Sequence, residues 1–158
     1  MRYISMRNIL NAAALALFLP LAAQAEVKVV EPWIPEAPPN AQAMGAFMVL
    51  ENDEDREVRV VNAHAPGFDT IELHKSVEEK GMHKMLKQDA LVIPAMGSLE
   101  LKPGSYHVML IGVQEPRPKA GDVIPVRLDL EGGTSITVQV PVRKRADMMK
   151  RMQQMQGH

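Results

Sequence analysis

The stretch Val123-Ile-Pro-Val-Arg-Leu-Asp-Leu130 is followed by Glu131-Gly-Gly-Thr134 and then by Ser135-Ile-Thr-Val-Gln-Val-Pro-Val142. Apolar residues occupy every second position of the first and third segments, which is the pattern of a strand with one buried and one solvent-facing side. The Gly132-Gly133 pair between them is typical of a tight hairpin turn. These residues therefore predict two antiparallel strands and a β fold.

Eight further segments upstream have strand length and an apolar or alternating composition. They are residues 26–30, 43–51, 57–63, 69–77, 82–86, 90–94, 98–101 and 106–111. Turn signals separate them about every ten residues, which is the spacing of a β-sandwich or barrel. The four prolines within residues 31–40 predict an extended loop, with Trp33 against an edge of the core.

The first 25 residues have the layout of a secretory signal peptide. Arg2 and Arg7 form a positive n-region, residues 9–23 are almost entirely apolar, and Ala23-Gln24-Ala25 is a small-x-small cleavage site. The alternative is an uncleaved membrane anchor, for which the apolar run is short. We expect cleavage after Ala25 and export out of the cytoplasm.

The remaining composition narrows the classes of function. Loss of Arg2 and Arg7 reduces 18 basic residues to 16 against 19 acidic ones, a net charge of −3, and no basic stripe with aromatics suggests a nucleic-acid partner. The absence of cysteine excludes thiol nucleophiles, zinc ribbons and blue-copper sites. No G-x-S-x-G, H-E-x-x-H or phosphate-loop motif occurs, so we expect no enzyme. We expect one monomeric domain over residues 26–143, with no membrane span after cleavage.

The segment Tyr106-His107-Val108-Met109 contains a candidate metal-binding pair. Residues i and i+2 of a strand point to the same side, so His107 and Met109 project together, about 7 Å apart along the strand. Thioethers favour Cu(I), and imidazole tolerates it. Taken alone, such a pair is more often a surface histidine beside a core methionine.

A second cluster supplies the same two ligand types. His74 lies on the polar face of the predicted strand 69–77, and the turn at residues 78–81 leads into Met82-His83-Lys84-Met85. A hairpin at that turn would bring Met85 back towards His74, although a Met-rich strand with exposed histidines is the alternative. Both clusters together would provide two imidazoles and two thioethers, a neutral four-ligand set for a soft monovalent ion.

Three further polar residues are candidates for a role at this site. His83 shares a face with Met85 and is a candidate spare ligand for Cu(II), but an exposed histidine near the turn is the favoured interpretation. Glu72 shares a face with His74 and could tune the site, but we interpret it as a solvated acid. His64 is interpreted as structural or solvated.

The spacing of the four candidates, His74-x10-Met85-x21-His107-x-Met109, resembles the motif of the periplasmic copper chaperones of the PCuAC type, without a gap. The similarity extends over about residues 27–143. One departure is Lys75, where many members have Met. Further matching segments are Trp33 with the prolines behind it, residues 44–51, Glu72-Leu73-His74, Lys102-Pro103-Gly104, residues 106–110 and Lys119-Ala120-Gly121-Asp122.

The resemblance implies a Greek-key, cupredoxin-like (Ig-like) β-sandwich that binds one Cu(I) through His74, Met85, His107 and Met109. It also implies delivery of copper to the CuA centre of cytochrome c oxidase, or to another assembly chaperone. Two alternatives stay open. One is periplasmic copper sequestration for tolerance, and the other is a metal-free Ig-like adhesion or assembly module.

The C-terminal residues 144–158 form a polar, basic and Met-rich tail. Its thioethers lie at offsets of three and four, which is the spacing of one helix face. The tail predicts either a short helix that docks on the domain or a mobile arm that captures copper, and the arm is the favoured interpretation. A second, weaker copper could bind its soft ligands, which are Met148, Met149, Met152, Met155 and His158.

Overall fold

The computed structural model describes residues 27–156 and, within them, ten strands followed by one helix. The elements are β1 (Val27–Pro35), β2 (Ala43–Asn52), β3 (Val58–His64), β4 (Phe68–Glu79), β5 (Met82–Lys87), β6 (Leu91–Ile93), β7 (Gly97–Leu101), β8 (Tyr106–Val113), β9 (Val123–Leu130), β10 (Ser135–Arg143) and α1 (Arg145–Gln156). Each predicted strand is present. The predicted signal peptide and His158 lie outside the described residues. None of the described helical residues forms a segment long and apolar enough to cross a membrane.

Two sheets face each other and form a β-sandwich, which confirms the predicted fold class. The first sheet has the order β5-β4-β8-β2-β1, and β7 lies beside the second half of β2. The second has the order β10-β9-β3-β6. A short parallel pairing of β1 with β10 joins the two sheets.

Strand β1 passes from one sheet to the other at a bulge. Its first half pairs with β2, its register shifts between Val30 and Trp33, and its last residues pair with β10. Glu31 has a φ of 50°, and proline is tolerated beside such a bulge because its missing N–H breaks no ladder bond there. The loop predicted over residues 31–40 is therefore wrong up to Pro35, where the strand ends.

The core lies between the sheets and follows the alternation of the C-terminal hairpin. Every second side chain of β9 is buried, and these side chains join inward-facing residues of β2 and β8 such as Leu50 and Val108 in one cluster. Each fully buried Val or Leu contributes roughly 1.5–3 kcal/mol relative to an exposed one. Because the chain has no cysteine, this packing replaces any disulfide.

Helix α1 docks on the first sheet through one methionine. Met148 is 5% exposed and forms a small cluster with Trp33 and Phe47, whereas Met149 is 52% exposed. A short polar helix needs such a tertiary contact, because isolated helices of this length are marginal in water. The favoured interpretation of a mobile arm is therefore wrong for residues 145–156, and the docked helix is correct.

The contact of Met148 with the aromatic pair predicts a measurable effect on stability. Met148→Ala should lower the free energy of unfolding by about 2 kcal/mol, at the low end for a buried Met→Ala change because the helix can relax. Trp33 is the sole tryptophan, so its emission should shift to the red as the contact opens. Urea unfolding followed by fluorescence measures both.

Met149→Ala is the matched control, because it makes the same change on the exposed side of the helix. It should alter stability by less than about 0.5 kcal/mol. Equal effects of the two variants would contradict the docking of the helix through Met148.

Candidate metal centre

Three adjacent strands bring the four predicted ligands to one face of the first sheet. In the β4–β8 ladder His74 lies directly opposite His107, and in the β4–β5 ladder Ser76 lies opposite Met85. Directly opposed side chains project to the same face, and so do residues two apart on one strand. Met109 therefore joins the two histidines and Met85 on this face.

The turn between β4 and β5 fixes the position of Met85. Lys80 and Gly81, the two residues between the strands, both have positive φ, at 52° and 75°. Two consecutive positive φ values define the two-residue hairpin turn whose twist matches its strands. This turn pairs Glu79 with Met82, and a slip of one residue would move Met85 to the opposite face.

The shared face contains an open cleft with a volume of about 400 Å³, lined in part by Met85, His107 and Met109. Gly45, opposite Met109 in the β2–β8 ladder, also lines it. A Cβ at Gly45 would lie 3.0 Å from the ring of Phe47. The glycine thus leaves the space that the Phe47 ring occupies beside the cleft.

His107 is 3% exposed, and its ring is held from two sides. The ring centroid lies 6.2 Å from that of Phe47 and 5.7 Å from that of His74, whose ring meets it edge-on. Nδ1 donates to the carbonyl of Ser105 at 3.1 Å, whereas Nε2 is buried without a hydrogen-bond partner. Burial lowers the pKa of His107, and the charge of His74 adds to this, while the bond to Ser105 opposes it. A neutral imidazole with a free lone pair is the form that binds metal.

His74 presents the complementary arrangement. Its Nε2 donates to Oε2 of Glu72 at 2.7 Å, and its Nδ1 is buried without a partner. Nearly all buried polar atoms in proteins are hydrogen-bonded, so two unpartnered nitrogens on neighbouring rings require an explanation. A metal ion bound by both lone pairs would satisfy them, and the residues therefore fit a metal.

Glu72 does not match the prediction of a solvated acid. Its side chain is mostly shielded, and its second oxygen accepts from Nζ of Lys87 at 2.9 Å. The hydrogen bond from Lys87, and after it the one from His74, hold the pKa of Glu72 below its usual range. Strand alternation placed Glu72 on the face of His74, but the contact with Lys87 depends on the register of β5.

The donor set consists of two imidazole nitrogens and two thioether sulfurs. Within residues 27–156 no group of three or more His, Cys, Asp or Glu residues is arranged to hold a metal ion by itself, so an ion at this face would need the thioethers as well as the imidazoles. Met109 is partly buried, whereas Met85, on the edge strand, is exposed. Neutral nitrogen and sulfur donors suit a soft monovalent ion.

The other sequence candidates lie apart from this set. His83 is exposed on β5 opposite Glu78, on the same face as Met85 but nearer the turn. His64 lies on the second sheet, where its Nε2 is 2.8 Å from a carboxylate oxygen of Asp129. The latter contact agrees with a structural interpretation of His64.

The tail methionines separate into two groups. Met148 is buried against the aromatic pair, and its sulfur lies 3.8 Å from a guanidinium nitrogen of Arg143, so it is not available to a second copper while the helix is docked. Met149 and Met152 are exposed. The side chain of Met155 lies outside the described part of the structure.

Comparison with known proteins gives one family and a set of structural relatives. The model of a family described as "Putative lipoprotein LpqE-like" matches residues 27–142. "Putative lipoprotein Lxx21020" of Leifsonia xyli subsp. xyli (strain CTCB07) is 31% identical over 142 residues, which cover 85% of this chain and 84% of that protein.

Two solved structures share the fold. The Cu(I) form of DR1885 from Deinococcus radiodurans is 31% identical, with a TM-score of 0.63 over 79% of this chain and 84% of the other. The copper-bound PCuAC domain from PmoF2 is 20% identical, with a TM-score of 0.63 over 77% of this chain and 96% of that domain. Residues 27–142 thus have the fold of a PCuAC domain, and the chain belongs to the LpqE-like family.

Proposed function

We propose that this protein is a copper carrier of the bacterial periplasm that binds one Cu(I) through His74, Met85, His107 and Met109. The observation that carries the proposal is the pair of buried imidazole nitrogens without partners, Nδ1 of His74 and Nε2 of His107. Both lie on the face that also holds the two thioethers. The 31% identity to a protein solved with Cu(I) supports the same ion.

The chemistry of the ligands favours holding and transfer of the ion over catalysis. Four neutral donors leave the charge of Cu(I) unchanged, and thioethers favour Cu(I). The other nitrogen of each imidazole is already engaged, by Glu72 for His74 and by Ser105 for His107, which fixes the ring orientation before the ion arrives. Four protein ligands would leave no open position for a substrate on the ion, so we propose no enzymatic step.

The proposed location in the cell envelope rests on a relative and on the sequence. A relative named as a lipoprotein supports an envelope protein, as does the predicted signal peptide over residues 1–25. We propose delivery to the CuA centre of cytochrome c oxidase or to another assembly chaperone. Copper sequestration for tolerance is the alternative. A metal-free adhesion module leaves the two unpartnered nitrogens unexplained.

A second and weaker copper at the tail stays a prediction. Met149, Met152, Met155 and His158 are its remaining candidates, because Met148 is buried in the docked helix. A tether to the domain would raise the effective concentration of such ligands near the main site.

Two methionines of β5 provide a matched test of the ligand set. Met85 and Met82 are 59% and 57% exposed on the same strand, but the register places them on opposite faces. Met85→Leu keeps the volume and removes the sulfur, so it should weaken Cu(I) binding at least about tenfold while the fold is retained. Competition with a Cu(I) chelator measures the affinity.

Met82→Leu is the control and should bind Cu(I) like the wild type. A loss of affinity in Met82→Leu equal to that in Met85→Leu would show that the sulfurs of β5 act only through general packing. Met109→Leu extends the test to β8 and should also weaken binding.

Protons should compete with the ion for the imidazoles. Because the pKa of folded His107 lies below the ordinary value of about 6.5, His107 is neutral and competent to bind at pH 7 and above. The contribution of His107 to affinity should be complete at pH 7 and decline as the pH falls through its lowered pKa, since the proton then occupies the ligating nitrogen. Chelator competition from about pH 5 to 7.5 tests this. A flat profile would argue against histidine ligands.

The destination of the ion is tested in the cell. Deletion of the gene should lower the activity of a CuA-containing oxidase in copper-limited medium, and added copper should restore it if delivery is the role. A deletion strain with normal oxidase activity and increased copper sensitivity would favour sequestration instead. Complementation with the Met82→Leu and Met85→Leu variants links either phenotype to the site.

A further inference from the structure

We infer that Glu72 is a positioning residue of the copper centre, which orients His74 and ties it to strand β5, the strand that carries Met85. The inference rests on the proposed function and deepens it. Each oxygen of the Glu72 carboxylate has its own donor. Oε2 accepts from Nε2 of His74 at 2.7 Å, and Oε1 accepts from Nζ of Lys87 at 2.9 Å.

The first bond selects the nitrogen through which His74 binds. With Nε2–H committed to Glu72, only Nδ1 has a free lone pair, and that atom is buried without a partner. His107 is the reverse case, because its Nδ1–H is committed to the carbonyl of Ser105. The geometry thus assigns Nδ1 of His74 and Nε2 of His107 as the ligating atoms. Anchors of this kind fix the tautomer and raise the basicity of a metal-binding imidazole.

The second bond restrains the strand that carries Met85. Among the described strands β5 is an edge strand that pairs only with β4, and all its residues are exposed. Lys87 lies opposite His74 in that ladder, two residues beyond Met85. Its bond to Glu72 therefore crosses between the strands next to both ligands. The carboxylate is also balanced by the lysine, so the centre keeps the low net charge that suits a monovalent ion.

A second carboxylate–lysine pair on the same hairpin supplies a control. Glu79 of β4 and Lys84 of β5 also form an ion pair, but they lie on the face opposite His74 and Met85. The lysine of each pair is exposed to solvent, and ion pairs with such a partner add little to stability, so neither pair is needed for folding. A difference between them in copper binding would therefore reflect position beside the ligands.

The test compares Glu72→Leu with Glu79→Leu in the intact protein, with Cu(I) as the probe. Glu72→Leu should weaken Cu(I) binding about 10–100-fold, the range found for groups that orient metal ligands, and Glu79→Leu should change it by less than about twofold. Glu72→Gln, which retains one acceptor oxygen, should recover part of the loss. Gln has the shape of Glu, so a purely steric role would leave Glu72→Gln with the affinity of the wild type, and that result would overturn the inference.

Imidazole NMR of the copper-free protein provides a readout that is independent of affinity. The Nε2–H proton of His74 should be observable and shielded from exchange in the wild type and in Glu79→Leu, and it should be lost in Glu72→Leu. An unchanged His74 signal in Glu72→Leu, or Cu(I) affinity within about twofold of the wild type, would overturn the positioning role. If the wild type binds no Cu(I), the proposed function fails, and the copper-free spectra still decide whether Glu72 orients His74.

Discussion

The pairing of β4 with β8 places His74 directly opposite His107, and the whole centre depends on that register. The side-chain period of a strand is two, so a slip of one residue would turn one imidazole into the core and leave the other alone on the surface. The buried residues of β4 and β8, such as Leu73 and Val108, which are themselves opposed, resist this slip because it would expose them. Core packing on one side of the sheet thereby fixes the positions of these two proposed ligands on the other.

The same arrangement has a cost that the rest of the fold offsets. A buried polar atom without a partner costs about 1–3 kcal/mol, and the centre contains two, on His74 and His107. The ring of His107 is supported by Phe47, which contacts Trp33 at a centroid distance of 5.3 Å, and Met148 covers that pair. A continuous row of side chains thus connects Met148 of helix α1 to His107 through Trp33 and Phe47.

The period-two pattern explains why so much of the site could be predicted from the sequence. It gave the strands, the shared face of His107 and Met109, and the face of His74, and the glycine turn indicated the hairpin that returns Met85. It could not show that the side chain of Lys87 reaches Glu72 on the next strand, so the two hydrogen bonds that Glu72 accepts were not predicted. The sheet crossing at Glu31 was missed because prolines normally end a strand. The docking of Met148 depends on an aromatic surface that exists only after Trp33 and Phe47 have met.

The four proposed ligands differ in how firmly the protein holds them, and this difference suits a carrier. His107 is almost fully buried and fixed by Ser105, and His74 is fixed by Glu72. Met85, by contrast, is exposed on β5, which has a neighbouring strand on one side only within residues 27–156. A neutral thioether in water is easily replaced, because it loses no charge attraction and its release leaves no buried group unpaired. Loss of an imidazole would leave a buried nitrogen unpaired again. An acceptor's ligand would therefore displace Met85 first, while the two imidazoles still hold the ion. The ion would then leave through the β5 edge.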